Sequence, residues 1–113
     1  MLNELAKRVH ETAIAKGWYE DHRPFPELIA LMHSELSEAL EAYRDGGTPT
    51  KITVHRKLGV RRGKPEGIAV ELADCVIRIL DACAYLGIDI DEAVRVKMEY
   101  NEGRPYRHGN KRA

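Results

Sequence analysis

The sequence predicts an all-α fold, a helical bundle of four main helices with one long basic loop between the second helix and the third. Apolar residues recur at helical spacing in four separate segments. Prolines and paired glycines fall between these segments or at their ends. The chain has no internal repeat, and its 113 residues fit a single domain covering 1–113.

The first helix is predicted over residues 2–16, and Gly17 ends it. The connector "WYEDHRPFP" follows, and its two prolines exclude a helix interior because they have no N–H to donate. The second helix is predicted from Pro26 to Arg44, before "DGG". Seven apolar residues form its expected core face: Leu28, Ile29, Met32, Leu36, Ala39, Leu40 and Tyr43.

The third helix is predicted from Pro65 to Tyr85, before Gly87, and is apolar on nearly all sides. Its polar residues share one narrow strip: Glu71, Asp74, Arg78 and Asp81. We expect such a helix to be largely buried, in part by a second copy of the chain. The fourth helix begins at Asp89 or Asp91, either of which suits a helix cap, and runs to about Glu102. A tail at 104–113 has no apolar pattern.

The segment 45–65 is a predicted basic loop that has no acidic residue after Asp45 and contains one β-like fragment, Ile52–Val54. Its cations are Lys51, Arg56, Lys57, Arg61, Arg62 and Lys64. Three interpretations stay open: a solvated excursion, a lid that holds phosphate oxygens, or a surface that binds nucleic acid through its phosphates. The segment has no interleaved aromatic residues, which weighs against recognition of single strands.

Overall charge and hydropathy exclude several classes of protein. Lys+Arg and Asp+Glu both number 18, so nucleic acid and anionic membranes are not expected partners. No apolar run approaches the roughly 18 residues of a membrane span, and the N-terminal segment lacks the apolar centre of a signal peptide. A cytoplasmic location is therefore expected. Cys75 and Cys83 would lie about 12 Å apart along one helix, too far for a disulfide.

Two pairs of carboxylates suggest a metal site. Glu35 and Glu38 lie three residues apart beside the core face of the second helix, and Glu71 and Asp74 repeat this spacing on the third. Either pair alone is typical of a solvated helix edge. Together they would place four carboxylates around one pocket, where repulsion requires protonation or a bound cation. Ligands that are all oxygen favour Mg²⁺, with Mn²⁺ as the alternative, and Mg²⁺ in turn favours phosphate chemistry.

Three segments carry a family resemblance: "SELSEALEAYR", "ELADCVIRILD" and "KMEYNEGRPYRHGNK". With them, the sequence resembles the MazG-like all-α nucleoside triphosphate pyrophosphohydrolases. The resemblance implies Mg²⁺-dependent hydrolysis between the α and β phosphates, giving a nucleoside monophosphate and pyrophosphate. It also implies a homodimer or a dimer of dimers. In this sequence the basic loop makes the gap between the two carboxylate motifs unusually long.

The same resemblance implies roles for individual residues. The expected metal ligands are Glu35, Glu38, Glu71 and Asp74. Glu38 is either a ligand or the carboxylate that takes a proton from the attacking water. Lys97, Asn101 and Arg104 match a K-x-x-x-N-x-x-R element and are expected to bind substrate. Trp18 either stacks on the nucleobase or packs beneath the connector.

Two rival functions remain. In the first, the chain is a helical nucleic-acid-binding or regulatory dimer whose carboxylates form structural ion pairs. In the second, the fold and the chemistry are kept but the substrate is narrower, for example dUTP alone or phosphoribosyl-ATP. The sequence does not show the shape of the base pocket, so a panel of substrates is needed to separate these alternatives.

Overall fold

The computed structural model describes residues 1–56 and 62–113 of the chain. Lys57 and Arg61 of the predicted basic loop lie outside these residues. The elements follow in the order α1 (Leu2–Ala15), α2 (Phe25–Arg44), β1 (Thr53–His55), β2 (Lys64–Glu66), α3 (Ile68–Leu86), α4 (Ile90–Glu102) and α5 (Arg107–Asn110). The fold is mainly helical, as the sequence predicts, with one small sheet.

Helix α3 is the centre of the chain and packs against α1 on one side and α2 on another. Its apolar residues recur on more than one face, so it can serve two neighbours at once. Five of its residues are buried: Ile68, Cys75, Leu80, Ala82 and Cys83. Both cysteines are free, as the sequence predicts. Gly87 ends the helix with a φ of 71°, a left-handed conformation that glycine adopts without steric cost.

Helices α1 and α4 meet at their N-termini and cap each other. The Asp91 carboxylate accepts hydrogen bonds from the backbone N–H of Leu2 at 2.7 Å and of Asn3 at 3.1 Å. In return, the Asn3 side-chain oxygen accepts the backbone N–H of Ile90 at 3.0 Å. Asp89 accepts the N–H of Glu92 at 3.0 Å and is the N-cap of α4, one of the two caps that the sequence predicts.

A two-stranded antiparallel hairpin replaces the predicted start of the third helix. Thr53 pairs with Glu66 and His55 with Lys64, so the prediction that the helix begins at Pro65 is wrong. Gly67 separates strand from helix with a φ of 133°, and a Cβ there would lie 2.5 Å from the Lys51 carbonyl oxygen. The β-like fragment of the basic loop is confirmed to within one residue by β1.

The predicted tail contains one short turn, α5, in which Arg107, His108 and Asn110 all have positive φ. Helix α4 has its main contacts with α1 and not with α2 or α3. Within the described ranges, no helix combines the length and apolar character needed to cross a bilayer.

A single chain leaves an unusually large surface exposed. Its radius of gyration is 17.2 Å, whereas a compact domain of this length has about 13 Å. Its accessible surface is 9224 Å², about 2,900 Å² more than the roughly 6,300 Å² typical of a 12.8 kDa monomer.

Part of the predicted core face of α2 contributes to this surface. Leu28 and Ala39 are buried, but Leu36, Leu40 and Tyr43 are exposed. Placing those three in the core is wrong for one chain, because only α3 packs extensively against α2. Leu72 and Val76 of α3 are also about half exposed, so the expected burial of that helix is only partial.

Candidate metal centre and adjoining cavity

Three carboxylates converge where α2 packs against α3. One oxygen atom from each of Glu35, Glu71 and Asp74 lies within 4.8 Å of those of the other two. The two helices approach closely beside these carboxylates, since the Cys75 thiol of α3 donates to the Met32 carbonyl of α2 at 3.5 Å. We call Glu35, Glu71 and Asp74 the carboxylate trio. It contains three of the four ligands predicted from sequence.

The fourth predicted ligand, Glu38, is exposed and lies outside the trio. It stays close enough for its charge to raise the pKa of Glu71. Glu38 lies about one helical turn beyond Glu35 on α2. It therefore borders the trio.

The trio is electrostatically strained. Burial is the largest cause of the raised pKa of Glu71, followed by the charges of Asp74, Glu35 and Glu38 and a hydrogen bond with Glu35. Burial and the Glu35 charge likewise raise the pKa of Asp74, while Arg78 and Lys64 oppose that rise. A bound cation would relieve this repulsion between like charges.

Arg78 provides the direct counter-charge. Its Nε donates to Glu35 Oε1 at 2.7 Å, from one turn beyond Asp74 on α3. Three ionised carboxylates against one guanidinium leave two negative charges. If Glu38 and Lys64 are counted as well, the same two negative charges remain. The deficit equals the charge of one divalent cation.

A cavity of about 890 Å³ adjoins the trio. It lies between α1, α2 and α3, and Glu35, Asp74 and Arg78 form part of its wall. This volume falls in the range of small-molecule sites, about 300–1,000 Å³.

Trp18 lines the same cavity and is 61% exposed, with the Arg23 guanidinium 6.0 Å from its ring centroid. Such exposure favours contact with a ligand over a role as a packing anchor. Sequence reasoning missed three cations on this wall, Arg8, Lys16 and Arg23. Nothing in the pattern of the first helix distinguishes Arg8 and Lys16 from solvated lysines and arginines.

The predicted substrate residues of α4 lie elsewhere in the single chain. Of the described residues, those that line the cavity come from α1, the connector, α2 and α3. The Lys97 ammonium lies 4.8 Å from the Tyr100 ring centroid, and the Arg104 guanidinium 5.3 Å from it. Asn101 is exposed on the same helix. One chain thus does not bring these three residues to the trio.

A hydrogen-bonded network fixes the wall that carries Trp18, and sequence reasoning missed it. Asp81 of α3 bonds to His10 Nδ1 at 2.7 Å and accepts the Tyr19 hydroxyl at 2.5 Å. Burial, then the hydrogen bond to Asp81, raises the pKa of Tyr19 far above its ordinary value. The Tyr85 hydroxyl accepts the backbone N–H of Arg23 at 3.2 Å. A signal existed, because Asp81 lies on the polar strip of an apolar helix and needs a partner.

The arrangement is suited to holding a hard cation beside an organic ligand. Its ligands are carboxylate oxygens, its charge deficit is two, and the cavity next to it combines apolar and cationic walls. Comparison with known proteins finds no matching family model, curated protein or solved structure.

Proposed function

We propose that this chain is a Mg²⁺-dependent nucleoside triphosphate pyrophosphohydrolase, in line with its resemblance to the MazG-like family. The observation that carries the proposal is the carboxylate trio beside the 890 Å³ cavity, with Glu35 and Asp74 in the cavity wall. The trio supplies ligands for a cation, and the cavity supplies room for a nucleoside. A cytoplasmic location is part of the proposal, supported by two free cysteines.

The ligand chemistry fits Mg²⁺, with Mn²⁺ as the alternative. Glu35, Glu71 and Asp74 would hold the ion, and Glu38 is near enough to join them. A bound Mg²⁺ supplies neutralisation of phosphate charge and a lower pKa for the attacking water. The site has no His or Cys ligand that would favour zinc or copper.

The remaining chemistry belongs to side chains around the cavity. Arg8, Lys16 and Arg23 give its wall the positive charge that a triphosphate needs. Trp18 offers an exposed aromatic face on which any base can stack. Glu38 is the proposed proton acceptor, because it borders the trio without being enclosed in it.

The active form in this proposal is a homodimer or a dimer of dimers. The excess surface is about 2,900 Å² per chain, or about 5,800 Å² for two chains, and so matches the upper end of the total area that obligate dimers bury, about 2,000–5,000 Å² or more. The exposed apolar residues of α2 and α3 are suited to such an interface. Since α4 does not reach its own cavity, Lys97, Asn101 and Arg104 would bind a nucleotide held mainly by another protomer.

One observation favours the rival function. The Arg78–Glu35 ion pair, at 2.7 Å, is what a purely structural role for the carboxylates requires. In that case the chain is a helical nucleic-acid-binding or regulatory dimer. The unsatisfied charge of Glu71 and Asp74 weighs against it, because a structural cluster would be expected to include more cations.

The test is turnover of a substrate panel. The purified protein is incubated with Mg²⁺ and each NTP, each dNTP including dUTP, or phosphoribosyl-ATP, and release of pyrophosphate and monophosphate is measured. We expect Asp74→Asn and Glu38→Gln to lower kcat at least about 100-fold. Glu41→Gln is the matched control, since Glu41 is an exposed acid on α2 that pairs with Arg44 at 3.9 Å. Absence of turnover with every substrate, or full activity of Asp74→Asn, rules out the proposal.

A further inference from the structure

Arg78 lies between the carboxylate trio and the cavity and contributes to both. Its Nε donates to Glu35 Oε1 at 2.7 Å, and its side chain also lines the cavity. The Arg78 side chain is 40% exposed, whereas that of Glu35 is only 13% exposed. The guanidinium can therefore turn toward the cavity more readily than the carboxylate can leave the trio.

The ion pair and a bound cation compete for the same carboxylate. Glu35 Oε1 accepts the Arg78 N–H, so a divalent ion that takes this oxygen as a ligand weakens or displaces that hydrogen bond. The cation also repels the guanidinium directly. Occupation of the trio thus drives Arg78 away from Glu35.

A displaced Arg78 has few carboxylates to move to among the described residues around the cavity. Asp74, one turn away, belongs to the trio itself. Asp81, three residues further along α3, already bonds to His10 and Tyr19. Guanidinium carries five N–H donors and no acceptor, so in the cavity it is suited to bind an anion. A phosphate group matches its planar fork through two parallel hydrogen bonds.

We propose that Arg78 is an exchangeable substrate-binding residue, which is the counter-ion of Glu35 in the metal-free protein and binds a phosphate group of the nucleotide once the metal is bound. This inference rests on the proposed function, because it takes the trio as the metal site. It predicts that metal and nucleotide favour each other's binding. A metal at the trio releases Arg78 from Glu35 to bind phosphate, and a bound phosphate keeps Arg78 away from Glu35, which leaves that carboxylate free to bind the metal.

The inference predicts that one substitution, Arg78→Met, strengthens the binding of metal and weakens the binding of nucleotide. Arg78→Met removes the competitor for Glu35 and one positive charge near the cation. Mn²⁺ should therefore bind the variant about 5- to 30-fold more tightly than the wild type when no nucleotide is present. The same variant loses a phosphate contact, so its KM should rise about tenfold or more. Loss of a purely structural counter-ion would also strengthen metal binding, so the rise in KM is the result that identifies the phosphate contact.

Mn²⁺ affinity is measured by the electron paramagnetic resonance signal of the free ion, which requires no turnover. Arg95→Gln is the matched control, because Arg95 forms Arg–Glu pairs with Glu92 and Glu99 on the exposed face of α4. It should leave both quantities unchanged. Arg78→Lys keeps the charge but loses the fork, so its Mn²⁺ affinity should stay within about threefold of wild type while its KM rises.

The possible outcomes distinguish failure of this inference from failure of the proposed pyrophosphohydrolase function. If wild-type protein binds Mn²⁺ and turns over nucleotide but Arg78→Met binds Mn²⁺ no more tightly, the role of Arg78 is refuted and the function stands. If Arg78→Met does not fold by circular dichroism, Arg78→Lys decides, and an unchanged KM there overturns the inference. Wild-type protein that binds no Mn²⁺ overturns both.

Discussion

Removal of one charge from the carboxylate trio should stabilise the metal-free protein. Glu71→Gln is the most informative change, because glutamine keeps the size of the side chain and can still donate a hydrogen bond to Glu35. In the wild type, burial and the charges of Asp74, Glu35 and Glu38 raise the pKa of Glu71 above its ordinary value of 4.5. A carboxyl whose pKa is raised on folding weakens the folded state as pH increases from that ordinary value through the raised one.

The expected gain follows from the distances. Two like charges 4.8 Å apart repel by about 1 kcal/mol in a water-like dielectric and about 3 kcal/mol at an effective dielectric constant of 20. Glu71 has two such neighbours in the trio, and the Arg78–Glu35 pair offsets part of one interaction. We therefore expect Glu71→Gln to add about 1–2 kcal/mol to the free energy of unfolding at pH 7. For a domain of this size that corresponds to a melting temperature about 4–8 °C higher.

The assay is thermal unfolding followed by circular dichroism, in EDTA and in 10 mM MgCl₂, at pH 5 and pH 7. In EDTA the variant should be more stable than wild type at pH 7, with a smaller difference at pH 5. Mg²⁺ should raise the melting temperature of wild type and have little effect on the variant, because a ligand has been lost. Glu41→Gln should resemble wild type throughout. A variant less stable than wild type in EDTA at pH 7 would show that the trio is not electrostatically strained.

Two further predictions concern the network that supports the cavity wall and the junction of α1 with α4. Tyr19→Phe should lower the free energy of unfolding, measured in urea titrations, by about 1–2 kcal/mol, because it leaves a half-buried Asp81 oxygen without its 2.5 Å hydrogen bond. Tyr85→Phe should lower the free energy of unfolding by less. A larger loss for Tyr85→Phe than for Tyr19→Phe would contradict the assigned network. Backbone hydrogen bonds from Asn3 and Leu2 lower the pKa of Asp91 in the folded protein, so its contribution to stability is present above its ordinary pKa and is lost as pH falls through the lowered one. Asp91→Asn should therefore lower the melting temperature at pH 7, and this loss should shrink as the pH falls below the ordinary pKa of Asp91; a loss that does not change with pH would refute this interpretation.

Local chemistry made much of the fold predictable from sequence. Helix limits follow from caps and breakers that act within one turn, and Asp89 and Gly87 mark those of α4 and α3. The hairpin escaped prediction because its pairing is tertiary: Lys64–Glu66 becomes a strand only when Thr53–His55 lies beside it. Pro65, read as the first residue of a helix, instead occupies an exposed strand.

The candidate site shows the same division between local and tertiary information. The trio was predictable because spacing of three residues fixes which side chains share a helix edge, and α2 and α3 had the apolar faces to pack together. Two features were not predictable: the hydrogen bond from Arg78 to Glu35, and the presence of cations of α1 on the cavity wall. Both depend on how each helix is rotated about its own axis when the helices pack, and no sequence pattern gives that rotation. A sequence motif gives residue types but not their positions in space. The single chain places the motif residues of α4 away from the cavity: Lys97, Asn101 and Arg104.

Two features of the single chain are unbalanced: the negative charge of its carboxylate site and its large exposed surface. Different partners would balance them. Its site lacks about two positive charges, which a cation can supply without a second chain because Glu35, Glu71 and Asp74 all belong to one protomer. Its surface exceeds that of a compact monomer by about 2,900 Å², which the proposed assembly would cover in part. Metal binding and assembly are thus separable steps in the proposed enzyme. In the same proposal catalysis depends on assembly, since the cations of α4 would meet a bound nucleotide only if another copy of the chain brings them there.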